Sequence, residues 1–382
     1  MKKTAALILA ALGMMLFTIS AYADSTKSAK DEDAAALYER FARQYKSGNF
    51  QQALKTAKAL VKSVEAQVGT EHLAYAKTIH QLAQTHIVLK QYKKAEPLFR
   101  KSLAIAKKQL PADSPDLIPA ITGLASMYRI AERYKEAEPL LKRLIALQEK
   151  NNIPNLKQFS ASLNELGIVY QEQGRLNDAL ALQQRAFKIT EEQFGDVHPT
   201  TATALTNLAG IYQQQNNLAK AQPLLERSLQ IFKQTIGNND IRTTRPLNSL
   251  AAIYTSQNKH TLAEQMYRQA LNIETGILGT NHPSVAITNN NLALLHMKTQ
   301  EYNKSENYFR QALNIYNASP EKNKLSIAKT QTNLAALYTL KGEQEKAVPL
   351  LKQALVTAQQ KLGPNDSFTQ LIRKDLKKAA NK

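Results

Sequence analysis

Apolar residues fall along this chain in paired helical stripes. In residues 202–236, Ala204, Leu205, Leu208, Ala209 and Tyr212 recur at helical spacing, which predicts an amphipathic helix. Asn216-Asn217 interrupts the stripe. A second one follows through Leu218, Ala221, Leu224, Leu225, Leu229 and Phe232. The unit is therefore helix, turn, helix, and it recurs. The Leu of its central phrase falls at Leu82, Leu124, Leu166, Leu208, Leu250, Leu292 and Leu334, each 42 residues after the last. A small residue follows each Leu, at Ala83, Ala125, Gly167, Ala209, Ala251, Ala293 and Ala335. A ring stands four residues after the Leu, at His86, Tyr128, Tyr170, Tyr212, Tyr254, His296 and Tyr338. A period in this range predicts stacked units, each burying its stripe against the next and winding into a superhelix.

The connections carry stop and start signals. Gly195-Asp196-Val197-His198-Pro199 and Gly279-Thr280-Asn281-His282-Pro283 place Gly where a left-handed cap is needed and Pro where a helix begins. Pro97, Pro139, Pro223 and Pro349 fall near the end of the first turn of the second helix, where a slight local kink is expected.

These residues resemble the tetratricopeptide repeat. Leu166-Gly167-x-x-Tyr170 fits its first-helix pattern. The second-helix Ala stands nine residues after the ring at Ala95, Ala137, Ala179, Ala221, Ala263 and Ala347, with Ser305 in the same column. Four residues on come Phe99, Leu141, Leu225, Tyr267, Phe309 and Leu351, while Gln183 departs. The 42-residue period and phrases such as Asn290-Asn291-Leu292-Ala293 look like the kinesin-light-chain type of repeat. Seven clear units run from about 76 to 363, and a degenerate eighth precedes them around Phe41, Tyr45 and Phe50. The expected fold is an all-α solenoid over 34–370, preceded by a lead-in at 24–33 and followed by a basic capping tail at 371–382.

What the resemblance implies is a groove, lined by the first helix of each repeat, that binds a protein or peptide. Counting the Leu as seventh, positions two, five, nine and twelve are expected on that face, with position six beside them. Position five holds His80, Thr122, Asn164, Thr206, Asn248, Asn290 and Thr332; position six includes Asn207, Asn291 and Asn333. Arg129 stands at position twelve, Arg245 and Lys329 at position two. Asn offers both a donor and an acceptor, which suits the backbone of an extended peptide. In repeats of this type the Asn of the N-N-L-A phrase has that role. The candidate partner-binding residues are thus Asn164, Asn207, Asn248, Asn290, Asn291, Asn333, Arg129, Arg245 and Lys329. Rival readings are an envelope component that uses its convex faces, and a secreted effector acting in another cell.

Composition narrows the setting. Lys2 and Lys3, the apolar run from Ala5 to Phe17 and Ala21-Tyr22-Ala23 read as a signal peptide over 1–23, cleaved after Ala23. This places the mature chain in the periplasm or outside the cell; an uncleaved anchor is the other reading. There is no Cys, hence no disulfide and no lipidated N-terminus. The net charge is +19 and stays strongly positive without Lys2 and Lys3, which favours an acidic partner. No nucleic-acid motif stands out. Membrane contact is expected only through the basic tail. Ser319-x-x-Lys322 and Ser326-x-x-Lys329 lack the companion triplets of an acyl-transfer enzyme. His72, His198 and His282 share one column and cannot converge on a metal, so they read as turn residues. No catalytic residue, metal site or cofactor is expected.

Overall fold

The computed structural model describes residues 34–152 and 155–380. The signal peptide read over 1–23 and the lead-in at 24–33 lie outside them. Among the described residues there are seventeen α-helices and no strand. They form two compact units, one ending at Gln193 and the other starting at Phe194. In the first unit the pairs are α1 (Ala34–Lys46) with α2 (Phe50–Val68), α3 (Leu73–Val88) with α4 (Tyr92–Gln109), α5 (Ile118–Ile130) with α6 (Tyr134–Lys150), and α7 (Leu156–Glu172) with α8 (Leu176–Phe194). In the second they are α9 (Pro199–Gln214) with α10 (Leu218–Ile236), α11 (Thr244–Ser256) with α12 (His260–Leu278), α13 (Pro283–Lys298) with α14 (Tyr302–Asn317), and α15 (Pro320–Lys341) with α16 (Gln344–Leu362). The helix α17 (Ser367–Ala380) closes that unit alone. The chain is an all-α solenoid of helix pairs.

The turn inside seven of the eight pairs is built the same way. One residue adopts positive φ, at Lys90, Glu132, Gly174, Asn216, Asn258, Gln300 and Gly342. The next N–H then reaches back to the carbonyl of the ring residue, as from Asn217 to Tyr212 (2.7 Å) and from Glu301 to His296 (2.8 Å). This closure satisfies carbonyls that the helix end leaves open. His86 and His296 fasten the same turn from their side chains. Their Nδ1 atoms lie 2.7 Å from Gln91 Oε1 and 2.5 Å from Glu301 Oε2.

Between pairs, Gly69 (φ 76°, ψ 176°) and Gly279 (φ 86°, ψ 158°) take a conformation open in practice only to glycine. His72, His198 and His282 cap the helices that follow, each Nδ1 accepting a backbone N–H two residues on at 3.1–3.2 Å. The prolines sit at the sixth residue of α4, α6, α10 and α16, in the second turn rather than the first, and the helices run on through them.

Packing explains the small-residue columns. Ala83, Ala125, Ala209, Ala251, Ala293 and Ala335 are fully buried, as are Ala95, Ala137, Ala179, Ala221, Ala263 and Ala347. Helices approach closely where these residues meet, and a longer side chain would overfill the space. Ser305 holds its place in the second column because its hydroxyl donates to the Ala293 carbonyl (2.8 Å). Gly123 and Gly210 test this logic. A Cβ on Gly123 would meet His80 Cε1 at 2.5 Å and Phe99 Cε1 at 2.6 Å, whereas one on Gly210 would meet only Arg245 Nη2 at 3.5 Å. Gly123→Ala is expected to destabilise by about 1–3 kcal/mol. Gly210→Ala is expected to be neutral, or to stabilise by up to about 1 kcal/mol through helix propensity. Urea unfolding of the two variants decides it, and equal shifts would refute the packing account.

The charge-based tail boundary at 371 falls inside a packed helix. Ile372 and Ala379 are buried in α17, and Phe368 and Leu376 lie against the cluster that contains Leu351 and Ala354. The lysines that suggested a tail occupy the outward side. Leu376 continues the 42-residue Leu column, so α17 is in register a further first helix.

Candidate partner-binding face

At 100° per residue, the seventh-position Leu and eleventh-position ring set the buried side of each first helix. Positions two and nine then lie opposite, with positions five, six and twelve about 120–140° from the buried side. Position five is separated from position six by about 100°, and its contacts rather than its angle take it to the neighbouring helices. Four residues expected on the open face from position five engage neighbouring helices instead. Asn164 accepts from Gln183 Nε2 of α8 at 2.7 Å. Thr206 Oγ1 lies 2.7 Å from Ser228 Oγ of α10. Asn248 donates to Thr288 Oγ1 of α13 (2.9 Å) and Glu274 Oε1 of α12 (3.3 Å). His80 is buried against the Phe99 ring at 5.0 Å, and burial pushes it down to about 4, so it stays neutral. Asn164 and Asn248 are thus internal ties between packed helices.

The remaining candidates lie on or beside the exposed face. In the first unit Arg129 donates to Glu165 Oε2 at 2.7 Å, and Ser126 adds a bond to the same carboxylate at 3.2 Å. In the second unit Arg245 donates to Asn207 Oδ1 at 2.7 Å. Asn333 donates to Asn290 Oδ1 at 3.3 Å, joining α15 to α13. Asn291 is half-buried and Lys329 exposed, and neither has a hydrogen-bond or ion-pair partner among the described residues. Arg245 is exposed by surface area, and the protein atoms close to its guanidinium desolvate it in part and lower its pKa from the usual arginine value. It still carries its charge at neutral pH.

Charge separates the faces of the two units. On α7 the face includes Glu165 and Glu172. On α9, α11, α13 and α15, positions two, six, nine, twelve and thirteen carry Arg245, Lys298 and Lys329 and no carboxylate. The nearest acceptors to two of these cations are neutral, Asn207 Oδ1 for Arg245 and the Thr255 carbonyl (2.7 Å) for Lys298. Sequence periodicity did not reveal Gln183, Glu274 or Glu165 as the groups that tie position-five or position-twelve residues down. Among the described residues no cluster of His, Cys, Asp and Glu could hold a metal, and no helix is long and apolar enough to cross a membrane.

The Tetratricopeptide repeat family profile matches residues 32–108, 78–150, 158–234, 201–275, 240–316 and 284–360. The chain belongs to the tetratricopeptide-repeat family. Members generally mediate protein–protein interaction, typically as non-enzymatic scaffolds. Among solved structures, this tetratricopeptide-repeat chain is similar to the kinesin light chain TPR-like repeats of Podosopora anserina, at 25% identity and a TM-score of 0.48 over 53% of this chain and 95% of that one. The apo form of RapI is 13% identical with a TM-score of 0.61, over 74% and 97%. A Rap protein complexed with competence and sporulation factor is 15% identical with a TM-score of 0.56, over 80% and 87%. The two Rap structures share the fold. No curated protein matches the chain.

Proposed function

We propose that this chain is a non-enzymatic adaptor holding an extended, anionic stretch of a protein partner against the exposed face of α9, α11, α13 and α15. The observation that carries the reading is the charge of that face, with three cations and no carboxylate at its outward positions. A face of one sign attracts the opposite sign and excludes its own. The amides of Asn291 and Asn333 supply donors and acceptors for a peptide backbone. Among the described residues Lys329 has no internal partner to give up on binding. The same fold in a Rap protein is found complexed with competence and sporulation factor, which fits a scaffold that holds a partner.

The basic, apolar and small-x-small run of the first 23 residues supports work outside the cytoplasm. Expressed with its whole N-terminus, the protein is expected in the periplasm with Asp24 as its first residue. Immobilised, it is expected to retain a protein that an Asn291→Ala, Asn333→Ala, Lys329→Ala variant of equal helicity binds at least tenfold more weakly. Equal retention by both would remove this face from the reading, and recovery of a chain that begins at Met1 in the cytoplasm would remove the export.

A further inference from the structure

The second position of the first helix forms a row across the second unit, one residue per repeat. From α11 to α17 it reads Arg245, Ile287, Lys329, Leu371. All four are exposed, Ile287 at 51% and Leu371 at 49%. Single exposed apolar residues are ordinary on protein surfaces. Here they fall in one column, each between or beside cations of the same column. The column also contains the only residue of α17 that is both large, apolar and exposed among its described residues.

Neighbouring first helices pack side by side, from α11 through α13 and α15 to α17. Packed helix axes lie about 8–10 Å apart. A polyproline-II chain has three residues per turn and rises about 9 Å in that turn, so every third side chain points the same way at this spacing. A β-strand does not match, because its third residue points to the opposite face. We infer that the occupant of this face is a polyproline-II segment in which every third residue alternates acidic and apolar, its acids over Arg245 and Lys329 and its apolar side chains over Ile287 and Leu371. This rests on the adaptor reading above and specifies its ligand. The row has its own chemistry to offer at each step. Arg245 is braced by Asn207 Oδ1, which orients the guanidinium without neutralising it. Lys329 is unpaired among the described residues and adapts to the second acid. Between them Ile287 removes a leucine-sized group from water, which a run of acids alone could not exploit.

The test uses synthetic peptides and the full mature chain. One fluorescent peptide has a proline-rich backbone carrying Asp, Leu, Asp, Leu at every third residue. A second has the same composition with those residues at every second position. Fluorescence anisotropy is expected to show the first peptide binding at least tenfold more tightly. Lys329→Glu and Ile287→Asp, both at exposed positions, are each expected to erase that preference. A matched peptide carrying Lys in place of the second Asp is expected to regain binding to Lys329→Glu. Equal binding of the two peptides, both weakened by Lys329→Glu, would overturn the three-residue register while leaving the adaptor reading intact. Failure of both peptides to bind would overturn the inference, and the partner-retention experiment with the Asn291, Asn333 and Lys329 variant then reports separately on the adaptor reading.

Discussion

Replacing Phe309 by alanine is expected to lower the free energy of unfolding of the second unit by about 4 kcal/mol. Phe309 is fully buried in α14, in one cluster with Ala293 of α13 and Leu334, Ala335 and Tyr338 of α15. Its ring is the large partner to two columns of alanine. No small residue there can move in to fill the space, because each is held by its own helix in the stack. The lost transfer energy and the remaining cavity therefore add. Each helix in such an array contacts mainly its neighbours, so the loss is local. Hydrogen exchange should speed most in α13, α14 and α15, and urea unfolding should report the energy. A shift below about 1 kcal/mol would show that the column collapses around the gap, and that close packing is not what holds these repeats in register.

The same column shows what could be read from the chain and what could not. Period, helix pairing, turns and alanine columns were all legible, because each follows from backbone geometry repeated every 42 residues. The departures needed coordinates. Gln183 stands where other repeats have Phe, Leu or Tyr, and it is buried. It spends its amide on Asn164 and lies where a Cβ on Gly167 would come within 2.8 Å of its Nε2. The departures at 167 and 183 are thus one local substitution, a polar tie to Asn164 in place of an aromatic. Periodicity within a single helix does not say which residue of the next helix a side chain meets. For that reason Asn164 and Asn248 resembled face residues in sequence and are internal in the structure. Arg245 and Lys329 lie opposite the buried Leu by angle, whereas Asn207, Asn291 and Asn333, which immediately precede it, stand at the edge of that face.

Acid is expected to destabilise the protein as pH falls from about 4.5 to about 2, and specific carboxylates set that window. Burial alone would push the Glu306 carboxyl up, but hydrogen bonds from Tyr338, Arg310 and Lys341 outweigh it and carry it down to about 2. The Glu138 carboxyl is held at about 2 by Lys142, against partial burial and with help from Arg175 and Gln173. Lys304 and then His296 do the same for Glu301, also to about 2. A carboxylate whose folded pKa is depressed binds fewer protons folded than unfolded, so its stabilisation is complete above the unfolded value and is lost on acidification towards the folded one. Glu274 runs the other way. Burial raises it, with bonds from Thr288, Thr244 and Asn248 offsetting only part. Its ionised form is a cost, absent in acid and growing as pH rises past the ordinary glutamate range. Glu306→Gln is therefore expected to cost roughly 1 kcal/mol at pH 7 once solvent screening is allowed for, and to cost little at pH 2.5. Glu274→Gln keeps an acceptor for the Thr288 hydroxyl, which now lies 2.7 Å from Glu274 Oε2. It is expected to stabilise by about 1 kcal/mol at pH 7 and to be near neutral at pH 4. Urea midpoints at pH 7, 5.5, 4 and 2.5 separate the two. If Glu306→Gln keeps the full acid-induced loss, the Tyr338, Arg310 and Lys341 cluster is not its source. If Glu274→Gln is less stable than the native chain at pH 7, the buried charge is held by its hydroxyl and amide neighbours rather than tolerated at a cost.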